Sequence, residues 1–203
     1  ANGKIDYALE GIIHSSGDTV KWVRDKLRAF QDFREAEKMI AALPVNEGVY
    51  LIPAFVGLGA PYWDPNARAA IVGMNRDTGL PHIVRAAIES MAYQVKDVVN
   101  LMQDSAGITI DKLRADGGAV DNRFLMQFQS DLLRVPVISS KTKELSAMGA
   151  VYLAGMAAGI WRSQEEIVRL DMDVEHYVPR TPQNRMDERY ASWKDAVSRV
   201  IRK

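Results

Sequence analysis

The segment DGGAVDN, residues 116–122, has the residue types of a turn that can bind a nucleotide. A short strand is predicted before the glycines and a helix after them, with Asp121 as the N-cap of that helix. Gly117 and Gly118 allow the backbone to approach a ligand closely, and the N–H groups at the helix start suit a phosphate or a ribose hydroxyl. Asn122 is a candidate hydrogen-bond partner for a base edge or the sugar. A plain tight turn between a strand and a helix is the alternative interpretation.

A second glycine at a predicted helix start is Gly17, which is followed by Asp18 as a candidate N-cap. Lys21 comes one turn later, so its ammonium could reach a phosphate. The alternatives are a simple helix cap at Gly17 and a solvated surface lysine at Lys21.

The sequence contains no recognisable catalytic or metal-binding constellation. The three histidines, His14, His82 and His176, form no i,i+4 pair and have no carboxylate at ligand spacing, which argues against a metal site. The motifs G-x-S-x-G, G-x-x-x-x-G-K-[ST] and G-x-G-x-x-G are all absent. Asp64 and Asp116 are candidate general bases, but neither has an evident partner in the sequence.

Apolar periodicity and turn residues predict an alternation of strands and helices that positions these segments. The predicted strands cover residues 5–10, 49–55, 70–74, 113–116 and 135–139. The predicted helices cover residues 18–30, 33–43, 81–105, 121–133, 146–158, 163–170 and 184–201. Glycines, prolines and aromatic residues predict an ordered loop at residues 56–66. The alternation favours a layered α/β domain.

Composition excludes several classes of protein. The chain has 203 residues, 26 Lys+Arg against 26 Asp+Glu, and no cysteine. This length predicts one domain or two small ones, and the lack of cysteine excludes a disulfide scaffold and a thiolate zinc site. The balanced charge argues against broad electrostatic binding to nucleic acid or to an anionic membrane. Since no apolar run approaches a membrane span or a signal peptide, we expect a cytoplasmic protein.

Several segments together resemble the FGGY family of carbohydrate kinases. The segments are YALEG at residues 7–11, VYLIPAFVGLGAPYWDP at 49–65, and residues 69–89, 116–118, 144–149 and 190–197. Residues 69–89 fit the second signature of the family. The resemblance extends over nearly the whole chain, and the 49–65 segment is the most specific part of it.

The resemblance implies an α/β domain with the ribonuclease-H-like, actin-like ATPase fold of the hexokinase type. Residues 1–203 would then form the C-terminal, nucleotide-side domain of a two-domain kinase, which supplies the adenosine-binding side of the cleft. The first strands of that domain and the N-terminal substrate domain would lie outside the chain. The members that it resembles most transfer the γ-phosphoryl group of MgATP to glycerol. ATP, Mg²⁺ and glycerol are therefore expected ligands of the full-length enzyme, and this segment alone is expected to be inactive.

The resemblance also assigns nucleotide-binding positions to this chain. Gly17, Gly118 and Asn122 match ATP-contact positions of the family, and two of them lie in the glycine turn described above. Lys21 stands at a nucleotide-side position where relatives carry glutamine, and its ammonium could reach a phosphate or ribose oxygen. No catalytic residue is expected within the chain.

Two alternative functions follow from the same residues. One is an FGGY kinase that acts on another polyol or sugar, and the other is a non-catalytic module that binds a nucleotide or a partner. If the first strands lie outside the chain, the predicted strand at residues 4–10 borders an unpaired sheet edge. We therefore expect the chain to self-associate, and we expect a homo-oligomer.

Overall fold

The structure, a computed structural model, describes residue 5 and residues 7–142, 144–170 and 173–201. The helices of these residues are α1 Gly17–Asp25, α2 Phe33–Ala42, α3 Leu80–Ala106, α4 Arg123–Leu133, α5 Leu145–Ala157, α6 Gln164–Val168 and α7 Gln183–Ser198. The strands are β1 Tyr50–Ile52, β2 Ala70–Val72, β3 Leu113–Ala115, β4 Val137–Ser140 and β5 Val174–Tyr177. A 3-10 turn covers Gly118–Asp121.

The chain divides into two units, which are described separately. The first contains the residues up to Ile110 together with those from Thr181 onward, and the second is Asp111–Arg180. Within the described ranges, no helix combines the length and the apolar character needed to cross a bilayer.

In the first unit, β1 pairs antiparallel with β2, and Leu51 lies opposite Ile71. All three residues of β1 are buried, and the strand packs against α3. This long helix also packs against α1 and α2, so it is the element that these parts of the unit share. Pro81 lies in the first turn of α3, and Gly107 ends the helix with a φ of 64°. Both residues are typical of these positions, because proline needs no N–H donor there and glycine adopts the left-handed conformation without strain.

A buried carboxylate on α3, Asp97, fastens two other segments of the first unit to this helix. Its oxygens accept hydrogen bonds from the Tyr62 hydroxyl at 2.9 Å, the Tyr190 hydroxyl at 2.6 Å and the Trp193 indole N–H at 2.8 Å. Burial raises the pKa of Asp97, while the three hydrogen bonds act in the opposite direction. The indole of Trp193 stacks on Tyr93 with ring centroids 5.0 Å apart. Asp97 therefore joins α7 and the loop of Tyr62 to α3.

The second unit is built on a sheet with the strand order β3-β4-β5. β3 and β4 are parallel, with Ala115 opposite Ser139, whereas β4 and β5 are antiparallel. Helix α4 connects the two parallel strands and packs against β4 and β5. A parallel pair needs such a crossover connection, because the chain must return to the starting end of the sheet.

Most of the predicted helices and strands are confirmed, although several differ in length. The predicted helices at 33–43 and 81–105 correspond to α2 and α3 within one residue at each end. The predicted helix at 18–30 is shorter in the structure, since α1 ends at Asp25. Arg28 has a φ of 52°, which the α-helix does not accommodate.

The predicted strand at residues 5–10 is wrong for the residues of this segment that are described. Residue 5 and residues 7–10 form no strand, and Ile5, Tyr7 and Leu9 are 74%, 93% and 55% exposed. Their alternation marks one apolar face, but a strand also needs a neighbour that completes its hydrogen bonds. No described strand pairs with this segment.

One strand, β5, has no counterpart among the predicted elements. It follows α6 and pairs antiparallel with β4 along its whole length, with Val137 opposite Tyr177. The segment Val174–Tyr177 has only four residues, and two of them are polar. So short a pattern does not indicate a strand unless the pairing with β4 is known.

Replacing Asp97 with asparagine is expected to lower the free energy of unfolding by about 3 kcal/mol. An amide oxygen accepts fewer hydrogen bonds than a carboxylate, and the new N–H₂ group would face donors of the same kind. Urea unfolding at neutral pH measures the loss. Asp104→Asn is the matched control, because Asp104 is an exposed carboxylate on the same helix. Equal losses in the two variants would contradict the role assigned to Asp97.

Candidate functional site

The carboxyl ends of β3 and β4 meet at one edge of the sheet in the second unit. Because the two strands are parallel and Ala115 lies opposite Ser139, the residues that follow them emerge side by side. Gly117 and Gly118 follow β3, and Lys141 and Thr142 follow β4. Crevices at the carboxyl ends of parallel strands are common ligand sites in α/β proteins.

The two glycines of this edge differ in conformation. Gly117 has a φ of 82°, in the left-handed region where a side chain is strained. Gly118 is outside that region. A Cβ atom added at Gly118 would meet no heavy atom within 4 Å, so the space above its backbone is open. Gly117 is therefore needed for the turn itself, whereas Gly118 leaves room for something outside it.

A cavity of about 210 Å³ lies beside Gly118. Both strand ends contribute to it, and its lining residues are Gly117, Gly118, Val120, Asp121, Ser140, Lys141, Thr142 and Glu144. The wall from the end of β4 was missed by the sequence predictions, which considered only the glycine turn. The signal was present, because a strand was predicted at 135–139 and polar residues follow it.

Asn122 is the N-cap of α4. Its Oδ1 accepts a hydrogen bond from the Leu125 N–H at 2.9 Å. Among the described residues, its Nδ2 group has no hydrogen-bond partner and remains available as a donor. The prediction that Asp121 is the N-cap is wrong, since Asp121 belongs to the preceding 3-10 turn. That turn inserts extra residues between β3 and the helix, which moves the cap by one position.

Several N–H groups of the glycine turn are already used within the protein. Val120 N–H donates to the Gly117 carbonyl at 3.2 Å, and Asn122 N–H donates to the Ala119 carbonyl at 3.2 Å. The Leu125 N–H is taken by the cap. The turn therefore has fewer free donors for a phosphate than the sequence suggested.

Among the described residues that line the cavity, the charged side chains are two carboxylates and one ammonium. The carboxylates are Asp121 and Glu144, and the ammonium is that of Lys141. All three side chains are exposed and line the cavity. The Lys141 ammonium forms an ion pair with Asp173 at 3.2 Å, which compensates its charge locally. Positive charge is therefore not in excess among the described lining residues.

Gly17 and Lys21 lie in the first unit. Gly17 is the first residue of α1, and Lys21 is exposed one turn later on the same helix. A Cβ atom added at Gly17 would meet no atom within 4 Å. The candidate N-cap Asp18 is instead inside the first turn, where its Oδ1 accepts from the Ser16 N–H at 2.6 Å. Of the four predicted nucleotide-binding residues, Gly118 and Asn122 share the second unit, and Gly17 and Lys21 share the first.

The candidate general bases have different surroundings. Asp64 is buried, and its Oδ1 accepts from the N–H groups of Asn66 at 2.8 Å and Ala67 at 3.1 Å, so it stabilises its own loop. Asp116 is exposed at the end of β3. No group of three or more His, Asp or Glu side chains converges on a metal-sized space among the residues described.

The histidines do not lie in the cavity. His82 is buried at the start of α3, where its Nδ1 accepts from the Gly79 N–H at 3.1 Å and its Nε2 lies 3.2 Å from Glu47 Oε2. These contacts give it a capping role. His176 lies on β5 and pairs in register with Ile138.

Comparison with known families identifies the chain. The model of the FGGY family of carbohydrate kinases, C-terminal domain, matches residues 1–158. The chain belongs to the FGGY family of carbohydrate kinases. This confirms the family that the motifs indicated, and with it the predicted ribonuclease-H-like, actin-like kinase fold.

Glycerol kinases are among the curated relatives that the chain resembles. The glycerol kinase of Xanthomonas campestris pv. campestris is 48% identical over 200 residues, and glycerol kinase 2 of Thermotoga maritima is 49% identical over 200 residues. Each alignment covers 98% of this FGGY chain but 40% of the relative. The chain therefore spans about two fifths of the length of these relatives.

Solved structures show the same fold. A crystal structure of the Plasmodium falciparum glycerol kinase with ADP matches with a TM-score of 0.84 and 34% identity, over 92% of this chain and 37% of that one. The xylulose kinase of Lactobacillus acidophilus matches with a TM-score of 0.73 at 24% identity, over 90% of this chain and 38% of its own. At that identity the second comparison supports the fold alone.

The cap at Asn122 generates a prediction about stability. Asn122→Ala is expected to lower the free energy of unfolding by about 1 kcal/mol, because the Leu125 N–H loses its acceptor. Asn122→Asp is expected to keep it, since a carboxylate accepts the same bond and lies at the positive end of α4. Chemical unfolding of both variants measures the difference. An alanine variant as stable as the wild type would contradict the capping role.

Proposed function

We propose that this chain is the nucleotide-side, C-terminal domain of an ATP-dependent glycerol kinase. The complete enzyme would transfer the γ-phosphoryl group of MgATP to glycerol and give sn-glycerol 3-phosphate. The observation that carries the proposal is identity of 48–49% to glycerol kinases over 98% of the chain. The open edge at Gly118 supports it from the structural side. The similar xylulose and gluconate kinases, at 24% and 23% identity, support the fold alone and give no argument for another sugar as substrate.

Gly118, Asn122, Gly17 and Lys21 are the proposed nucleotide-binding residues of this chain. The open space at Gly118 lets a ligand approach the backbone, and the Nδ2 group of Asn122, the N-cap of the following helix, is the proposed side-chain donor. Gly17 likewise leaves open space at the start of α1, and Lys21 is the nearest cation along that helix. ADP, named with the Plasmodium glycerol kinase structure, is the natural probe for these positions.

Phosphoryl transfer depends mainly on the positioning of the two substrates and on stabilisation of the transferred charge. Mg²⁺ in phosphoryl-transfer sites is bound mainly by the substrate phosphates with one or two carboxylates, and the described residues contain no group of three or more potential metal ligands. We therefore assign the metal to the phosphates of the nucleotide and to the remaining part of the enzyme, together with the glycerol pocket. The role of this chain would be to hold and orient ATP. We further propose a cytoplasmic enzyme that forms homo-oligomers.

Gly118→Ala is expected to weaken ADP binding at least about tenfold, because the new methyl group occupies the space that the ligand would use. The substitution should not disturb folding, since that space is otherwise empty and Gly118 has no left-handed φ. Titration calorimetry with ADP measures the affinity. Gly149→Ala is the matched control, because a Cβ atom there also meets nothing within 4 Å and Gly149 lies on α5, outside the cavity.

The same ADP titration with the variant Asn122→Asp tests whether the Asn122 amide donates a hydrogen bond to the nucleotide. The variant keeps the cap acceptor but removes the N–H₂ group, so it should lose ADP affinity without losing stability. Unchanged affinity in both Gly118→Ala and Asn122→Asp would contradict nucleotide binding at this turn.

The chain alone is expected to form no glycerol 3-phosphate from MgATP and glycerol. The reason is that the proposed glycerol pocket and metal contacts belong to the other three fifths of the enzyme. A coupled assay of ADP release and a direct assay of glycerol 3-phosphate measure the activity, with the complete Thermotoga maritima relative as positive control. Product formation by the chain that disappears in Gly118→Ala would contradict this division of roles.

A further inference from the structure

We infer that an apolar pocket in the first unit binds a small amphipathic acid, whose apolar body fills the pocket and whose carboxylate pairs with Arg68. The class of ligand is a medium-chain aliphatic carboxylate. The inference goes beyond the proposed function, because none of the four proposed nucleotide-binding residues lines this pocket.

The pocket is lined by residues of α1, β1 and β2. Its volume is about 540 Å³, which falls within the range of about 300–1,000 Å³ that is usual for small-molecule sites. Trp22 lines it from α1, Leu51 from β1, and Ala70 and Ile71 from β2. Among the described lining residues, all but Arg68 are apolar. An occupant is therefore stabilised mainly by the removal of apolar surface from water.

Two aromatic side chains form one wall of the pocket. The ring centroids of Trp22 and Phe55 are 5.1 Å apart, and the ring planes are tilted by 53°. Tilted rings form an angled wall and not a parallel slot for a flat ring system. Met74 also lines the pocket and is 56% exposed, and its flexible thioether side chain can adapt to a ligand. These shapes suit an aliphatic chain, which can bend.

Arg68 supplies the charge at this pocket, and its guanidinium is anchored. Its Nη1 donates to the carbonyl oxygens of Ala67 at 2.8 Å and Pro65 at 3.3 Å. The loop that carries these carbonyls is itself fixed, because Asp64 Oδ1 accepts from the Ala67 N–H at 3.1 Å. The Nε and Nη2 groups of Arg68 have no hydrogen-bond acceptor among the described residues. An anchored arginine with unused donors is suited to bind a carboxylate.

The charge of the lining decides which head group fits. The described lining residues include no carboxylate that could neutralise Arg68. A cationic amphiphile would be repelled by the guanidinium, and a neutral alcohol would leave its donors to water. Inorganic phosphate carries the right charge but has no aliphatic chain to cover the apolar walls. A carboxylate at the end of an aliphatic chain satisfies both requirements.

The test is a calorimetric titration of the chain with octanoate, hexanoate, octan-1-ol and acetate. We expect octanoate to bind at one site and acetate to show no measurable binding, because acetate has no chain to bury. Hexanoate should bind about tenfold more weakly than octanoate, since two fewer methylene groups are removed from water.

The variant Arg68→Gln separates the charge from the apolar contacts. It should weaken octanoate about fivefold, because water partly screens an exposed ion pair, and it should leave octan-1-ol unchanged. Arg76→Gln is the matched control, because Arg76 is an exposed arginine of the same unit that does not line the pocket. An octanoate affinity that Arg68→Gln leaves unchanged, or a loss of octan-1-ol as large as that of octanoate, would overturn the pairing of Arg68 with a carboxylate.

The variant Ala69→Phe tests where octanoate binds. Ala69 is exposed and lines the pocket, so a phenyl ring there would occupy the space of the ligand and weaken octanoate at least about tenfold. Ala41→Phe is the control, because Ala41 is an exposed alanine on α2 that does not line the pocket. Circular dichroism and urea unfolding verify that each variant is folded. Octanoate binding that persists unchanged in Ala69→Phe would overturn the inference.

A wild-type chain that binds no octanoate would also overturn the inference. Sedimentation then identifies the alternative occupant, since a dimer that dissociates in Ala69→Phe would assign the pocket to a second copy of the chain. These results are independent of the proposed function, because ADP binding and its loss in Gly118→Ala are measured in a separate titration.

Discussion

Parallel pairing of β3 with β4 is the constraint on which the candidate site depends. Since both strands run in the same direction, their carboxyl ends lie at one edge, and α4 must cross between them. The crossover places the start of α4, with its cap Asn122, beside the glycine turn. The same pairing brings Lys141 and Thr142 next to Gly118, although more than twenty residues separate them in sequence. An antiparallel pairing would have placed these two segments at opposite edges.

The first unit is organised differently, around buried charge on one helix. Asp97 accepts three hydrogen bonds from side chains on α7 and on the aromatic loop. Glu89 lies about two turns before Asp97 on α3. It is fully buried and forms an ion pair with Arg85 at 2.7 Å. Buried polar groups of this kind need every partner in place, so they specify which segments pack on α3. Apolar packing alone would permit alternative arrangements of these segments.

Local signals in the sequence predicted the helices well. Asp32 caps α2 by accepting from the Glu35 N–H, and Gly107 ends α3, and both effects operate within one turn of the chain. The strands depend on partners far away in sequence, which explains why β5 was missed and why residue 5 and residues 7–10 were wrongly predicted to belong to a strand. The candidate site shows the same contrast between local sequence signals and contacts of distant segments. The glycine turn and the polar residues after the strand predicted at 135–139 were both visible as local features, but only the parallel register shows that these two segments meet.

The position of Asn122 shows how one residue type can combine folding and binding. Serine, threonine, aspartate and asparagine all serve as N-caps, because each provides an acceptor for the N–H groups of the first turn. Of these, asparagine alone still has an amide donor after its oxygen has bonded the Leu125 N–H. That donor belongs to the residue at which the 3-10 turn ends and α4 begins, so one side chain caps the helix and keeps a polar group available outside it.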